Sequence, residues 1–190
     1  MRVLAILSFL VTLLLVSCSD TTLTPVSYKD FSLFVQETNY VTDAEKFGWS
    51  FIQKDVLNFE IDSNLTWRIP DGNQVLDINL PVTQVSYNDA VAYCKWSNSR
   101  LPTYKEYWSI VNKDSRTINH SSSEMQHIQH VNLVGNAWEI TNTLKGEEVR
   151  LAGGSYLCDT KTCNGTDPNR TLYIDKYTGN THISFAVIYH

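Results

Sequence analysis

The sequence lacks a hydrophobic run long enough to cross a membrane comfortably. Its N-terminal apolar stretch, Val3 to Val16, is broken only by Ser8 and Thr12 and covers 14 residues, whereas a membrane-spanning helix needs about 20. A basic stripe is also missing, because 15 Lys and Arg residues are scattered along a chain with 20 Asp and Glu and a net charge of −5. That absence argues against nucleic acid as a partner.

A short apolar stretch after Arg2 is typical of a secretory signal. The stretch ends in Leu15-Val16-Ser17-Cys18, which resembles the lipobox of bacterial lipoproteins, whose cysteine is acylated and becomes the new N-terminus. The resemblance predicts a lipid anchor on Cys18 and an exported, membrane-anchored protein that faces the periplasm or the cell surface. The alternatives are an uncleaved anchor or an ordinary signal peptide that happens to end at a cysteine.

The chain has no internal repeat and no long low-complexity stretch. About 170 residues remain after residue 18, which suits one domain that buries roughly two thirds of its unfolded surface. Residues 19–26, with Ser, Thr and Pro, are interpreted as a tether. Residues 27–190 are then a single domain, in which we look for one site.

Three helices are predicted in the first part of the domain. Ser27 and Ser86 are placed to cap the first two, each with Asp in the first turn. Thr103 and Glu106 have the capping-box spacing for a third helix, which should end at about residue 112. Cys94 shares the apolar face of the second helix and is most simply a core residue.

The remaining third contains short apolar runs separated by Gly, Asn and Asp, namely NLVGNAWEIT, VRLAGGSYL, RTLYI and HISFAVIYH. Such runs are typical of short strands joined by irregular loops. Together with helices that are mostly N-terminal, they predict an α+β domain.

If Cys18 is lipidated, the remaining cysteines are Cys94, Cys158 and Cys163. An odd count in an exported protein leaves at least one thiol unpaired. Because an oxidising compartment favours disulfides, a bridge between Cys158 and Cys163 is the simplest interpretation of that pair.

Five segments stand out along the chain, namely NYVTDAEKFGWSFI, TWRIPDG, PVTQVSYNDAVAYCKWSNSRLPTYKEYW, NLVGNAWEIT and GGSYLCDTKTC. In this order they resemble the formylglycine-generating enzyme, or sulfatase-modifying factor, family. The resemblance implies the fold of that family, a C-type lectin-like α+β variant with limited regular secondary structure. It also implies an oxidase that uses O₂ and copper(I) to convert a cysteine in an unfolded sulfatase segment, Cys-x-Pro-x-Arg, to Cα-formylglycine.

The resemblance implies that Cys158 and Cys163 hold copper(I) and that Ser155 is a catalytic hydroxyl beside them. Two thiolates are soft ligands that select copper(I) and leave room for the thiolate of the substrate. The alternatives are a structural disulfide or idle thiols, with Ser155 as a turn residue that bonds its own backbone.

A calcium site is implied by the NLVGNAWE segment. The family pattern places the side chains of Asn132 and Glu139 and the carbonyls of Gly135 and Ala137 around the ion, and calcium prefers such oxygen ligands. The alternative is that the asparagines only form turns and Glu139 faces solvent.

The match to the family fails in several places. Residues 109–131 are shorter than the corresponding family insert, and Ser184-Phe185-Ala186 replaces the usual Gly-Phe-Arg. An asparagine that the family uses near this block for the substrate is either replaced by His182 or displaced. Arg170 matches the family's substrate-binding arginine only across a gap. Cys94 has no disulfide partner near Val187, which predicts a free thiol.

Three functions therefore compete. The first is a copper-dependent formylglycine-generating oxidase that acts on sulfatases. The second is a non-catalytic lipoprotein of the same scaffold that binds protein partners, as in gliding or secretion machinery. The third is a copper-binding accessory protein that keeps the cysteine pair without the oxidase activity.

Overall fold

A computed structural model of the protein describes residues 21–55, 58–75, 77–111, 134–158 and 167–190. The helices in these residues are α1 Tyr28–Thr38, α2 Asp43–Phe47, α3 Tyr87–Trp96 and α4 Tyr104–Val111. The strands are β1 Thr24–Pro25, β2 Ser50–Gln53, β3 Phe59–Asp62, β4 Ser99–Arg100, β5 Trp138–Lys145, β6 Glu148–Ala152, β7 Tyr173–Asp175, β8 Ile183–Ser184 and β9 Ala186–Tyr189. The helices precede the larger sheet along the chain, as in the predicted α+β arrangement.

The strands of the described residues form separate small sheets. In the largest, the order is β7-β6-β5-β8, with β8 parallel to β5 and the other neighbours antiparallel. A second sheet has β9 between β1 and β4, and β2 and β3 form an antiparallel pair of their own. Because β8 and β9 are almost continuous in sequence, the C-terminal segment joins the two larger sheets.

The predicted tether over residues 19–26 is wrong for its second half. Thr24 and Pro25 form β1, which pairs with β9, and the flanking Leu23 and Val26 are only 8% and 1% exposed. This segment is folded because its apolar side chains are buried and its backbone extends a sheet. Residues 1–20, including the predicted lipobox and Cys18, lie outside the described residues.

The predicted helix starts are confirmed. Ser27 and Ser86 each accept a hydrogen bond from the backbone N–H of the Asp three residues later, within complete capping boxes. Thr103 accepts from the N–H of Glu106, whose carboxylate accepts from Thr103 in return. The helix that follows ends at residue 111, one residue before the predicted end.

Aromatic side chains fill the main core. The ring of Phe31 lies 5.3 Å from those of Phe34 and Trp67 and 6.3 Å from that of Phe185, measured between centroids. Phe185, from the altered closing segment, is therefore a central packing residue. Cys94 is buried on α3 and is a free cysteine, so both predictions for it are confirmed.

A buried carboxylate fastens the starts of α2 and α3 together. Asp89 is completely buried and accepts hydrogen bonds from the hydroxyl of Tyr40, the N–H of Asp43 and the N–H of Ser86, at 2.9–3.0 Å. Burial raises the pKa of Asp89 to about 6. Ser86 completes the link, because its hydroxyl donates to Asp43 at 2.8 Å.

Ser86→Ala is expected to lower the free energy of unfolding by about 1–3 kcal/mol, because it removes a helix cap and the buried hydrogen bond to Asp43, which keeps only Asn88 and Lys46 as side-chain donors among the described residues. Ser27→Ala is the matched control. It removes the equivalent cap of α1, whose hydroxyl bonds only within its own capping box, and should cost about 1 kcal/mol. Urea unfolding of both variants measures the difference. Equal losses would show that the link from Ser86 to Asp43 adds nothing.

A close backbone approach fixes the segment that precedes β8. A Cβ atom at Gly179 would lie 2.5 Å from the backbone carbon of Gln84, so only glycine fits there. Gln84 is itself fully buried, and its side chain donates to the carbonyls of Phe51 and Pro70 at 2.9 and 2.7 Å. This arrangement holds β2 beside residues 179–183, which form part of the site described next.

Candidate functional site

A tight turn after β6 carries the predicted catalytic residues. Gly153 and Gly154 have φ values of 89° and 75°, which an L side chain rarely adopts, and they turn the chain so that Ser155 is buried at 1% exposure. The N–H of Cys158 then donates to the carbonyl of Ser155 at 2.9 Å. The Gly-Gly-Ser sequence thus brings a serine and a cysteine three residues apart into contact.

The sulfur of Cys158 faces two polar groups of Ser155. The backbone N–H of Ser155 donates to Sγ at 3.4 Å, and the Ser155 hydroxyl oxygen lies 3.9 Å from it. Both groups would stabilise negative charge on the sulfur, because hydrogen bonds to a charged acceptor are stronger than neutral ones. These distances place Ser155 beside Cys158, and its catalytic role stays a prediction.

Cys158 is disulfide-bonded. Cys163, the second predicted copper ligand, lies outside the described residues. A sulfur in a disulfide is not a thiolate ligand, so a copper role for Cys158 requires prior reduction of this bond.

His182 lies on the other side of Ser155. Its Nδ1 atom is 3.1 Å from the Ser155 hydroxyl oxygen, and its side chain is buried, which lowers its pKa to about 4. The imidazole is therefore neutral at pH 7. The sequence identified His182 only as the replacement of an asparagine, and no local pattern indicated this contact with Ser155, which is 27 residues away.

A pocket of about 450 Å³ opens beside this cluster. Cys158, Arg170 and His182 all line it, so these three residues that the sequence singled out meet in space. Trp138 and Leu172 form apolar parts of the wall. The pocket is large enough to hold a few side chains of an extended peptide.

Arg170 reaches the pocket next to an aromatic ring. Its guanidinium carbon lies 5.7 Å from the centroid of Trp138, and its buried Nε has no hydrogen-bond partner among the described residues. The backbone of Arg170 is fixed, since its carbonyl accepts from Arg150 at 2.8 Å and from the hydroxyl of Tyr104 at 3.0 Å. This position suits the predicted role in substrate binding, which remains a prediction.

The β2–β3 pair supplies an aromatic rim that the sequence analysis missed. Phe51 and Phe59 line the pocket, with ring centroids 5.6 Å apart, and Trp49 packs edge-on to Phe51 at 5.6 Å. Phe59 remains 61% exposed. The alternation of large apolar and acidic residues in FEID was the signal that could have identified β3.

The residues predicted to bind calcium lie around the start of β5. Glu139 is 3% exposed, so the alternative in which it faces solvent is wrong. Its Oε2 atom has no hydrogen-bond partner in the described part of the chain, and burial raises its pKa to about 8. Gly135 and Ala137 are buried in the turn just before this strand, and Asn132 lies outside the described residues.

An unpartnered buried carboxylate is costly unless it is neutralised. A cation with oxygen ligands would remove that cost, so Glu139 fits the predicted calcium site. No group of three or more His, Cys, Asp or Glu that could hold a metal occurs in the described residues. The predicted calcium site contains only one residue of these types, Glu139. Its other ligands would be an asparagine side chain and backbone carbonyls, so it is not a site of that kind.

Known proteins share the N-terminal scaffold of this chain. The family model for the sulfatase-modifying factor enzyme 1-like domain matches residues 21–111. Just under half of the chain is therefore similar to the sulfatase-modifying factor family. The match includes α1 to α4, so it covers the scaffold and ends before the residues of the Ser155 turn.

Two curated relatives in the sulfatase-modifying factor family illustrate the extent of the similarity. The inactive C-alpha-formylglycine-generating enzyme 2 of Bos taurus is 39% identical over 102 residues, which cover 44% of this chain and 34% of the relative. The formylglycine-generating enzyme of Bos taurus is 27% identical over 211 residues, covering 73% of this chain and 56% of the relative. The chain thus aligns with about a third to just over half of their length.

The structure of PvdO from Pseudomonas aeruginosa has a similar fold. It superimposes with a TM-score of 0.60 at 12% sequence identity, over 86% of this chain and 77% of that chain. At this identity the similarity concerns the fold alone. The predicted α+β fold of the sulfatase-modifying factor family is confirmed.

No helix of the described residues is long and apolar enough to span a membrane.

Proposed function

We propose that this chain is a copper-dependent, formylglycine-generating oxidase-like lipoprotein. Its substrate would be an unfolded sulfatase segment of the type Cys-x-Pro-x-Arg, whose cysteine is oxidised to Cα-formylglycine with O₂. The observation that carries the proposal is that Cys158 and His182 meet at the wall of one pocket, with the buried hydroxyl of Ser155 between them. Similarity to the sulfatase-modifying factor family supports the chemical class.

The overall reaction requires an external reductant. Conversion of a cysteine side chain to an aldehyde with release of H₂S removes two electrons, whereas reduction of O₂ to water takes up four. Two equivalents of a small thiol supply the difference and become a disulfide, so one O₂ yields one aldehyde and one water. The same thiol would reduce the disulfide of Cys158 and free its sulfur.

Copper(I), when bound by thiolates of Cys158 and Cys163, would supply a soft, electron-rich centre at which O₂ can react. The protein's own residues then have separate tasks. The N–H and hydroxyl of Ser155 stabilise negative charge on the sulfur of Cys158. Arg170 and the aromatic rim around Phe51 bind the peptide and exclude water from the pocket.

We also propose that Glu139, with Gly135, Ala137 and Asn132, binds a structural calcium ion. This ion would neutralise the buried carboxylate at the start of β5. Along the chain, strands β5 and β6 separate this position from the Ser155 turn. The task of the ion is to hold the turn that precedes Trp138, which lines the pocket. The proposal also includes export of the protein and its attachment to a membrane through a lipid on Cys18.

A second candidate function is a non-catalytic binding protein of the same scaffold. It is favoured by the inactive relative, which is similar to the scaffold of this chain, and by the altered closing segment. There Ser184, Phe185 and Ala186 are fully buried, so no side chain replaces the family's arginine at that point. A copper-binding accessory protein would share the cysteine site but not the oxidase activity.

The test is to express residues 19–190, reduce the protein, load it with copper(I), and incubate it in air with a thiol and a Cys-x-Pro-x-Arg peptide. We expect the peptide to gain an aldehyde, measured by mass spectrometry and aldehyde-specific labelling. A peptide with Ser in place of Cys is the substrate control, and a copper(I) chelator should stop the reaction. Absence of aldehyde from a copper-loaded, folded protein would reject the oxidase in favour of the binding functions.

A further inference from the structure

Two paired residues of the largest sheet carry buried oxygen atoms that lack partners. Glu139 of β5 is paired with Ser184 of the parallel strand β8, and paired residues of neighbouring strands have their side chains on the same face of a sheet. Ser184 is completely buried. Its hydroxyl oxygen and Oε2 of Glu139 both lack a hydrogen-bond partner among the described residues. A donor and an acceptor thus lie side by side without bonding each other.

Helix α4 packs against β5 and β6 and covers the neighbouring strand positions. On its other side, Glu139 is paired with Ala152 of β6, which belongs to one buried cluster with Tyr107 of α4 and Ala186. The hydroxyl of Tyr107 is also buried and without a hydrogen-bond partner in the described part of the chain. These oxygen atoms are closed to solvent, and each costs about 1–3 kcal/mol if nothing bonds to it.

The calcium site proposed at Glu139 is short of ligands. The four residues proposed above supply four oxygen ligands, or five if the carboxylate binds through both oxygens, whereas calcium takes about six to eight. The hydroxyl of Ser184 is a neutral oxygen that can fill one of the open places. A water molecule between the two side chains would satisfy the hydroxyl, but it would not offset the charge of a buried carboxylate. A cation would do both.

We propose that the hydroxyl oxygen of Ser184 is a further ligand of the calcium ion held by Glu139. The ion would join β8 to β5 through side chains as well as through the backbone. His182 and Ile183, which directly precede Ser184, line the pocket, so the ion would also fix this part of the pocket wall. The inference rests on the calcium site proposed above and not on the oxidase activity.

Calcium affinity is measured at neutral pH by titration against a chromophoric chelator, after EDTA has removed bound metal from the oxidised protein. Ser184→Ala should weaken binding about tenfold or more, because loss of a group that only supports a metal ligand already costs about 10–100-fold. Thr141→Val is the matched control. Thr141 is a buried residue of β5 whose hydroxyl already donates to the carbonyl of Arg150 at 2.7 Å, so this variant should bind calcium like the wild type.

Ser184→Cys separates a direct ligand from a group that is merely nearby, and it also tests the inference if Ser184→Ala does not fold. Sulfur is a soft ligand that suits cadmium better than calcium, so this variant should lose calcium affinity and bind cadmium at least about tenfold more tightly than Ser184→Ala. The other cysteines are common to both variants and do not contribute to the difference. Equal cadmium binding by the two variants would show that the side chain of residue 184 does not reach the ion.

The outcomes distinguish this inference from the proposals made above. If Glu139→Gln loses calcium binding but folded Ser184→Ala binds as tightly as the wild type, the calcium site stands and the inference fails. If the wild type binds no calcium, the calcium site and the inference both fail, whatever the aldehyde assay shows. Weaker calcium binding in Ser184→Ala but not in Thr141→Val, with cadmium binding gained in Ser184→Cys, supports the inference even if no aldehyde is formed.

Discussion

Cys158→Ser is expected to abolish aldehyde formation, with a loss of more than about a hundredfold in kcat/KM. Loss of a group that only surrounds a metal ligand already costs about 10–100-fold, and serine replaces a soft thiolate with a hard, neutral hydroxyl that does not retain copper(I). The measurement is the peptide assay described above, together with the stoichiometry of bound copper(I). Aldehyde formation and the amount of bound copper(I) should decrease together.

The matched control is Cys94→Ala. Cys94 is buried on α3 and is not among the residues that line the pocket. Burial raises the pKa of its thiol to about 11, so it is not a thiolate at neutral pH. This variant should retain copper and activity. Because Cys158→Ser also removes a disulfide, its unfolding is compared with that of the reduced wild type. Equal aldehyde yields from Cys158→Ser and wild type would show that the sulfur of Cys158 takes no part in the reaction.

The sequence predicted those parts of the fold that depend on interactions between residues three or four positions apart. The caps at Ser27, Ser86 and Thr103 follow from a side chain that bonds a backbone N–H in the next turn. The same signal was present at Thr42 and Glu45, where a capping box begins α2. This helix was missed because its five residues are too few to show a hydrophobic period.

The candidate site was only partly predictable for the same reason. The contact of Ser155 with Cys158 lies within one turn and could be inferred from the Gly-Gly-Ser sequence and the family resemblance. The contact with His182 depends on β8 lying parallel to β5, and the rim at Phe51 depends on a bridge to Asn180, 129 residues later. Such contacts are set by packing of distant segments, about which short patterns carry little information.

The beginning of the domain illustrates the opposite error. Ser, Thr and Pro in residues 19–26 indicated a tether by composition, yet β1 occupies the edge of a sheet beside Val187. Pro25 is tolerated there because an edge strand need not use every N–H. The composition of residues 19–26 describes the average of the segment. Its folding depends on only two of these side chains, Leu23 and Val26, which are buried.

The second large effect expected is a dependence of stability on pH and calcium through Glu139. Its pKa is raised by burial from 4.5 to about 8 in the folded protein. Without calcium, the folded chain keeps this proton at pH values where the unfolded chain has lost it. The contribution of Glu139 is therefore fully present below about pH 4.5 and is lost as pH rises towards 8.

The full loss approaches about 5 kcal/mol, at about 1.36 kcal/mol per pKa unit, and about 3.5 kcal/mol of it falls between pH 5 and 8, which is a large part of the stability of a typical domain. Glu139→Gln has no ionisable group at this position and should not show it. Urea unfolding in EDTA at several pH values from 5 to 8, for wild type and Glu139→Gln, isolates the effect from other titrating groups, since those are common to both. We expect the wild type to lose stability relative to the variant across this range.

Calcium should remove the difference. The ionised carboxylate is the form that binds the cation, so binding becomes stronger as pH rises and offsets the cost of the buried charge. In the wild type, saturating calcium should therefore stabilise the fold most at pH 8 and least at pH 5, whereas Glu139→Gln should respond weakly at both. If calcium stabilised both proteins equally, or if their curves in EDTA were parallel, Glu139 would be a buried neutral acid of the core and not a ligand.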